Sequence, residues 1–129
     1  MRREAEIMAG TVFERSPEPA FVMDPGESCI VAANDAGCAL LGYTRDELLA
    51  TPISRIHPSE AAELSELLER VLREGRATTI VLTCRTKGGT FLPTEIALHA
   101  LELDGRTRIL GLVHDRSEHR GAPPAAAGD

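Results

Sequence analysis

Apolar positions along this chain keep a helical spacing in two stretches and then switch to strict alternation. Ala5, Met8 and Val12, flanked by Ile7 and Phe13, mark one face of a short amphipathic helix within residues 1–16. Ser16-Pro17 ends it, because a residue before proline is driven out of the helical region. Two short apolar runs, residues 20–24 and 29–33, lie on either side of Asp24-Pro25-Gly26-Glu27, and this pattern predicts a hairpin. Thr44-Arg45-Asp46-Glu47 fits a capping box, in which hydroxyl and carboxylate each satisfy a free N–H at a helix start, so a brief helix begins at Thr44. In His57-Pro58-Ser59-Glu60, Pro takes a first helical position with Glu in the first turn. Leu64, Leu67, Leu68, Val71 and Leu72 then recur every three or four residues, predicting the longest helix over 58–74, with Gly75 as its left-handed stop.

Beyond residue 77 the period becomes two. Residues 78–85, 91–103 and 106–114 read as three strands of an antiparallel meander, separated by Lys87-Gly88-Gly89 and by Asp104-Gly105, a strong two-residue hairpin signal. With Asp104 and Gly105 as the loop, Ile96 faces Val113, Leu98 faces Gly111 and Glu95 faces His114. One face then carries Ile96, Leu98, Ile109 and Val113, and the other Ala97, Leu101, Leu110 and Leu112. Both are apolar. A sheet wetted on one side alternates cleanly, so each face needs a cover: the long helix inside, and the N-terminal helix or a second molecule outside.

The 129 residues suit one domain, and 43% hydrophobic with 26% charged residues is the balance of a folded globular protein. A net charge of −6 disfavours direct nucleic-acid binding, which draws on clustered Lys and Arg. No apolar run approaches a membrane span or a signal peptide, so a cytoplasmic protein without a membrane partner is expected. Cys29, Cys38 and Cys84 are widely spaced, with no CxxC pair and no His at zinc-ligand spacing, and read as buried thiols. Cys38 sits among Ala36, Ala39, Leu40 and Leu41, where a small apolar side chain is wanted rather than a nucleophile. Lys87-Gly88-Gly89 precedes a strand, not a helix, and so is a turn rather than a phosphate loop. No catalytic residues and no metal site are assigned.

The order of elements and several motifs resemble the PAS domain family, the sensory and interaction modules of bacterial signalling proteins. The likeness is carried by Ala33-Asn34-Asp35-Ala36, by the run from Leu41-Gly42-Tyr43-Thr44 through Glu47-Leu48, by Ile56-His57-Pro58, by Gly89, Pro93 and Glu95, and by the segment from Gly111 to Glu118. The resemblance implies an α+β fold: a five-stranded antiparallel sheet with short helices and one long helix on one face and the N-terminal helix on the other. The PAS domain would span 17–120, with 121–129 a flexible tail. Where the family closes on Asp-Ile-Thr this chain has Asp115-Arg116-Ser117, which keeps the polar chemistry and gives up an apolar contact.

The resemblance also bears on cofactors. Members with a covalent flavin switch carry a Cys in the segment matching residues 51–56, where this chain has none, and the proximal His of haem members corresponds to Ser65. His57 is a weaker candidate for haem, since it precedes Pro58 and reads as a loop end that caps the helix. A non-covalent flavin needs only room and a few donors, yet the chain has no Trp, one Tyr and three Phe to stack on it. The cofactor is left unassigned. Residues 34–48 are expected to wall a cavity, with Asn34 holding local backbone and Cys38 and Leu41 pointing inward. The opposite walls would be Ile53, Ile56, Leu64 and Leu68 with Ile80, Leu82, Ile96 and Leu98, and Gly111 would leave space. Three readings follow: a non-catalytic module that acts as a homodimer or on another signalling protein through the N-terminal helix and the outer sheet face, a sensor of a small apolar ligand or a non-covalent flavin or haem, and a thiol redox sensor using Cys38 or Cys84.

Overall fold

The computed structural model describes residues 12–79 and 82–117. In order the chain forms β1 (Ala20–Asp24), β2 (Cys29–Ala33), α1 (Asp35–Leu41), α2 (Arg45–Leu49), α3 (Ile53–Ile56), α4 (Ala61–Glu74), β3 (Arg76–Thr79), β4 (Thr83–Arg85), β5 (Phe91–Leu103) and β6 (Arg106–Asp115). The strands build one antiparallel sheet in the order β2-β1-β6-β5-β3, with β4 paired to the first residues of β5, next to β3 along the same strand. This is the mixed α+β architecture expected.

The β5–β6 hairpin fixes the inner and outer faces. Asp104 and Gly105 take φ of 53° and 74°, the left-handed pair a tight hairpin turn requires. Ile96 consequently faces Val113, Leu98 faces Gly111 and Glu95 faces His114, as the turn predicts. Ile96, Leu98, Ile109 and Val113 are buried against the helices, with Leu67 and Val71 of α4, Leu41, Leu48, Ile53 and Ile56 above them. Burying each such side chain is worth about 1.5–3 kcal/mol. On the other face Ala97, Leu101, Leu110 and Leu112 remain half-exposed, beside the buried Ala20 and Val22 of β1, which pair with Leu112 and Leu110.

Two expectations need correction. The strand expected over 78–85 is two strands, each paired with β5, with Leu82 between them held by Thr94, whose N–H and hydroxyl both donate to the Leu82 carbonyl at 3.3 and 2.9 Å. The long helix starts at Ala61, three positions after Pro58. Its N-cap is Glu60, whose carboxylate makes no cap bond and instead accepts the Thr83 N–H at 3.0 and 3.1 Å. Gly75 ends it with φ 92°, as expected.

Residues 12–15 are helical. The rest of the expected N-terminal helix, Ile80 and the 121–129 tail lie outside the described residues.

Candidate functional site

Asn34 is the hub of the segment between β2 and α2. It is fully buried, and its side chain satisfies four backbone groups. Oδ1 accepts the N–H of Ala20 at 3.0 Å and of Gly37 at 2.8 Å, while Nδ2 donates to the carbonyls of Phe13 at 3.0 Å and Glu18 at 2.9 Å. One side chain therefore caps α1 and ties it both to β1 and to the helical stub at residues 12–15, a longer reach than the local turn expected of it. α1 lies so close to β1 that a Cβ on Gly37 would stand 2.9 Å from the Phe21 ring and 3.2 Å from the Ala20 carbonyl oxygen.

The capping box at Thr44 forms as the sequence indicates: Thr44 Oγ1 accepts the Glu47 N–H at 3.1 Å and Glu47 Oε1 accepts the Thr44 N–H at 2.9 Å. Glu47 Oε2 also receives Lys87 Nζ at 2.7 Å, and the Lys87 N–H donates to the Leu41 carbonyl at 2.9 Å. The Lys87-Gly88-Gly89 turn is thus a clasp on α1 and α2. The Lys87 hydrogen bond, then the Thr44 N–H, holds the Glu47 carboxyl below its ordinary range. Arg45 donates to the Ala33 carbonyl at 3.0 Å and reaches Glu14 at 2.7 Å and Asp35 at 2.8 Å, a second tie to the N-terminal stub. At the far end of the sheet the Asp115 carboxylate takes the Ser117 N–H at 2.9 Å and the Ser117 hydroxyl as well, so the altered closing signature retains its polar link.

Between sheet and helices lies a cavity of about 70 Å³. Of the residues selected from sequence, Leu41, Ile53, Ile56 and Leu64 line it from the helices, and Leu82, Ile96, Leu98 and Gly111 from the strand side. A Cβ at Gly111 would meet Leu98 Cδ2 at 3.1 Å, so the glycine keeps that wall open. Asn34 is occupied with backbone instead, Cys38 and Leu68 are half-buried beside the core rather than on the cavity, and Ile80 lies outside the described residues. Phe21, Met23, Ile30, Leu67 and Val113 also line it. Inward alternation on β1 and the register of β6 carried the signal for Phe21, Met23 and Val113.

Two further lining residues carry chemistry, His57 and Cys84, which the sequence suggests as a loop end and a buried thiol but not as cavity walls. His57 is only 8% exposed, with Nδ1 3.2 Å from Glu60 Oε1 and Nε2 3.9 Å from Cys84 Sγ. Cys84 Sγ lies 3.8 Å from Thr94 Oγ1, and burial pushes its thiol up to about 11. Burial also raises the Cys38 thiol, against the lowering influence of Arg45. Neither is the low-pKa, exposed thiolate of a reactive cysteine. Among the described residues no group of three or more His, Cys, Asp and Glu is placed to hold a metal ion, and no helix is long and apolar enough to cross a membrane.

A family model described as a PAS domain matches residues 17–118, and the chain belongs to the PAS domain family. It is 26% identical over 125 residues to a methyl sulfide methyltransferase-associated sensor of Methanosarcina acetivorans, covering 95% of this chain and 12% of that protein. A domain of a sensory box sensor histidine kinase/response regulator from Geobacter sulfurreducens is 31% identical, with a TM-score of 0.69 over 86% of this chain and 94% of that one. The LOV protein of Rhodobacter sphaeroides shares the fold at 20% identity, with a TM-score of 0.78 over 98% of this chain and 75% of that one. As a PAS domain the chain is a sensor module of signalling proteins, a class whose members are generally not catalysts.

Proposed function

We propose that this PAS domain works by association, without catalysis, through the outer face of its sheet, either with a second copy of itself or with another signalling protein of the cytoplasm. The observation that carries this is the apolar group of Leu110, Leu112, Ala97 and Leu101, half-exposed around His99 on a face where a monomer's sheet would present mostly polar side chains. Polar groups rim it, with Arg108 paired to Asp24 at 3.2 Å on one side and Glu95 opposite His114 on another. Such an apolar centre with a charged rim suits a protein interface. The N-terminal stub is tied to the helices by Asn34 and Arg45. Multi-angle light scattering across a wide concentration range is expected to show a dimer for the unaltered protein and a monomer for Leu110→Glu. Identical masses for the two, with no dimer at any concentration, argue against self-association.

The second reading, a small-molecule sensor, is favoured by the cavity itself. Its lining is apolar apart from His57 and Cys84, and its volume of about 70 Å³ suits a small apolar molecule better than a flavin or haem. Native mass and an absorbance spectrum of the purified protein test it directly. Any ligand shifts the module only by its differential affinity for two packings of helix against sheet.

A further inference from the structure

Where the apolar cavity meets β4, its polar equipment reduces to one imidazole and one thiol. The Glu60 carboxylate, which can only accept, takes the Thr83 N–H with both oxygens and faces His57 Nδ1 at 3.2 Å. Nδ1 is therefore the nitrogen that carries the proton in the neutral ring, and Nε2 presents a lone pair. That lone pair has a poor protein partner: Cys84 Sγ, 3.9 Å away, a weak S–H donor. The thiol has an alternative in Thr94 Oγ1 at 3.8 Å, whose own proton is committed to the Leu82 carbonyl at 2.9 Å. A better donor arriving at Nε2 displaces the thiol onto Thr94 and leaves no buried group unsatisfied.

We propose that His57 is the polar anchor of this cavity, accepting through Nε2 one hydrogen bond from the hydroxyl or N–H of a small ligand that is otherwise apolar. The inference rests on the second reading above, that the cavity receives a small molecule. His57 is more than nine-tenths buried and the neighbouring walls are Ile53, Ile56, Leu64 and Leu82, so the bond forms in a water-poor setting where a mismatched ligand has no solvent to turn to. A site with a single acceptor selects by that acceptor: an isostere without the donor fits the walls and leaves Nε2 with the thiol.

Pyrrole and furan are small rings of the same size that differ in an N–H, and they separate the possibilities. In a nitrogen-15 titration at a fixed, mildly alkaline pH, pyrrole is expected to bind about tenfold more tightly than furan. The Nε2 resonance of His57 should move with pyrrole and stay in place with furan. His57→Phe should bind the two alike; if that variant does not fold, the Nε2 resonance of the unaltered protein decides. Equal binding of both rings with an unmoved Nε2 resonance overturns the anchor and leaves the cavity reading standing. Binding of neither ring overturns both.

Discussion

Asn34 Oδ1 accepts the backbone N–H of Ala20 at 3.0 Å, joining the first residue of β1 to the cap of α1. The same side chain holds the Gly37 N–H and the carbonyls of Phe13 and Glu18. Removing it in Asn34→Ala abolishes a helix cap and takes the side-chain partner from two buried N–H groups and two part-buried carbonyls, for an expected loss of about 2–4 kcal/mol in urea denaturation. Asn34→Asp keeps both accepted bonds but sets a buried carboxylate oxygen against the carbonyls of Phe13 and Glu18, so it too should destabilise, and more at neutral pH than in acid. A loss under ~0.5 kcal/mol for the alanine variant would mean the hub is not structural.

Gly37→Ala sets two effects against each other. Helix propensity favours alanine by about 0.5–1 kcal/mol. Against this, the new Cβ would sit 2.9 Å from the Phe21 ring and 3.2 Å from a backbone oxygen. Overpacking at this level costs about 1–3 kcal/mol, so the strain wins and the variant should melt lower. A variant that melts higher than wild type would show that α1 has room to move away from β1.

The Glu47 carboxyl, lowered by Lys87 and the Thr44 N–H, gives an acid dependence whose sign is fixed. Because the folded value lies below the ordinary value of 4.5, this contribution to stability is fully present above 4.5 and drains away as pH falls through the lower folded value. Glu47→Gln keeps an N3 side chain able to complete the capping box but removes the titrating group. Its stability should fall less steeply below pH 4.5 than that of the unaltered protein. Parallel acid limbs would assign the effect to other carboxylates.

Cys84 is 2% exposed and its thiol is raised to about 11, whereas Cys29 and Cys38 are partly exposed. Iodoacetamide at neutral pH, followed by peptide mass analysis, should leave Cys84 unmodified in the folded protein and label it once urea unfolds the chain. Labelling of native Cys84 at the rate of Cys29 would reopen the redox reading.

The legible parts of this fold were those where one local signal determines geometry. Asp104-Gly105 sets the parity of β5 and β6, and with it the division into a face against the helices and a face carrying Leu110 and Leu112. Thr44 and Glu47 state their own capping box, and Gly75 its own helix stop. What stayed hidden depended on partners far along the chain. Pro58 reads as the start of a helix because the use of Glu60 for the Thr83 N–H, 23 positions on, is invisible locally. The His-Pro dipeptide reads as a loop end, and its imidazole becomes a cavity group only when β4 brings Cys84 to it. Leu64 and Leu68 were chosen as facing residues of the long helix, whereas Leu67 and Val71 are its buried pair and Leu64 and Leu67 its cavity contacts, since helix periodicity alone leaves the rotation about its axis open.

The central claim is that the outer sheet face is an interface, and isotope-filtered NOE spectroscopy on a mixture of differently labelled copies tests it most directly. The account predicts intermolecular NOEs from the methyl groups of Leu101, Leu110 and Leu112 in a dimer. A dimer whose intermolecular NOEs all arise elsewhere, with those methyls in contact only with water, would contradict it.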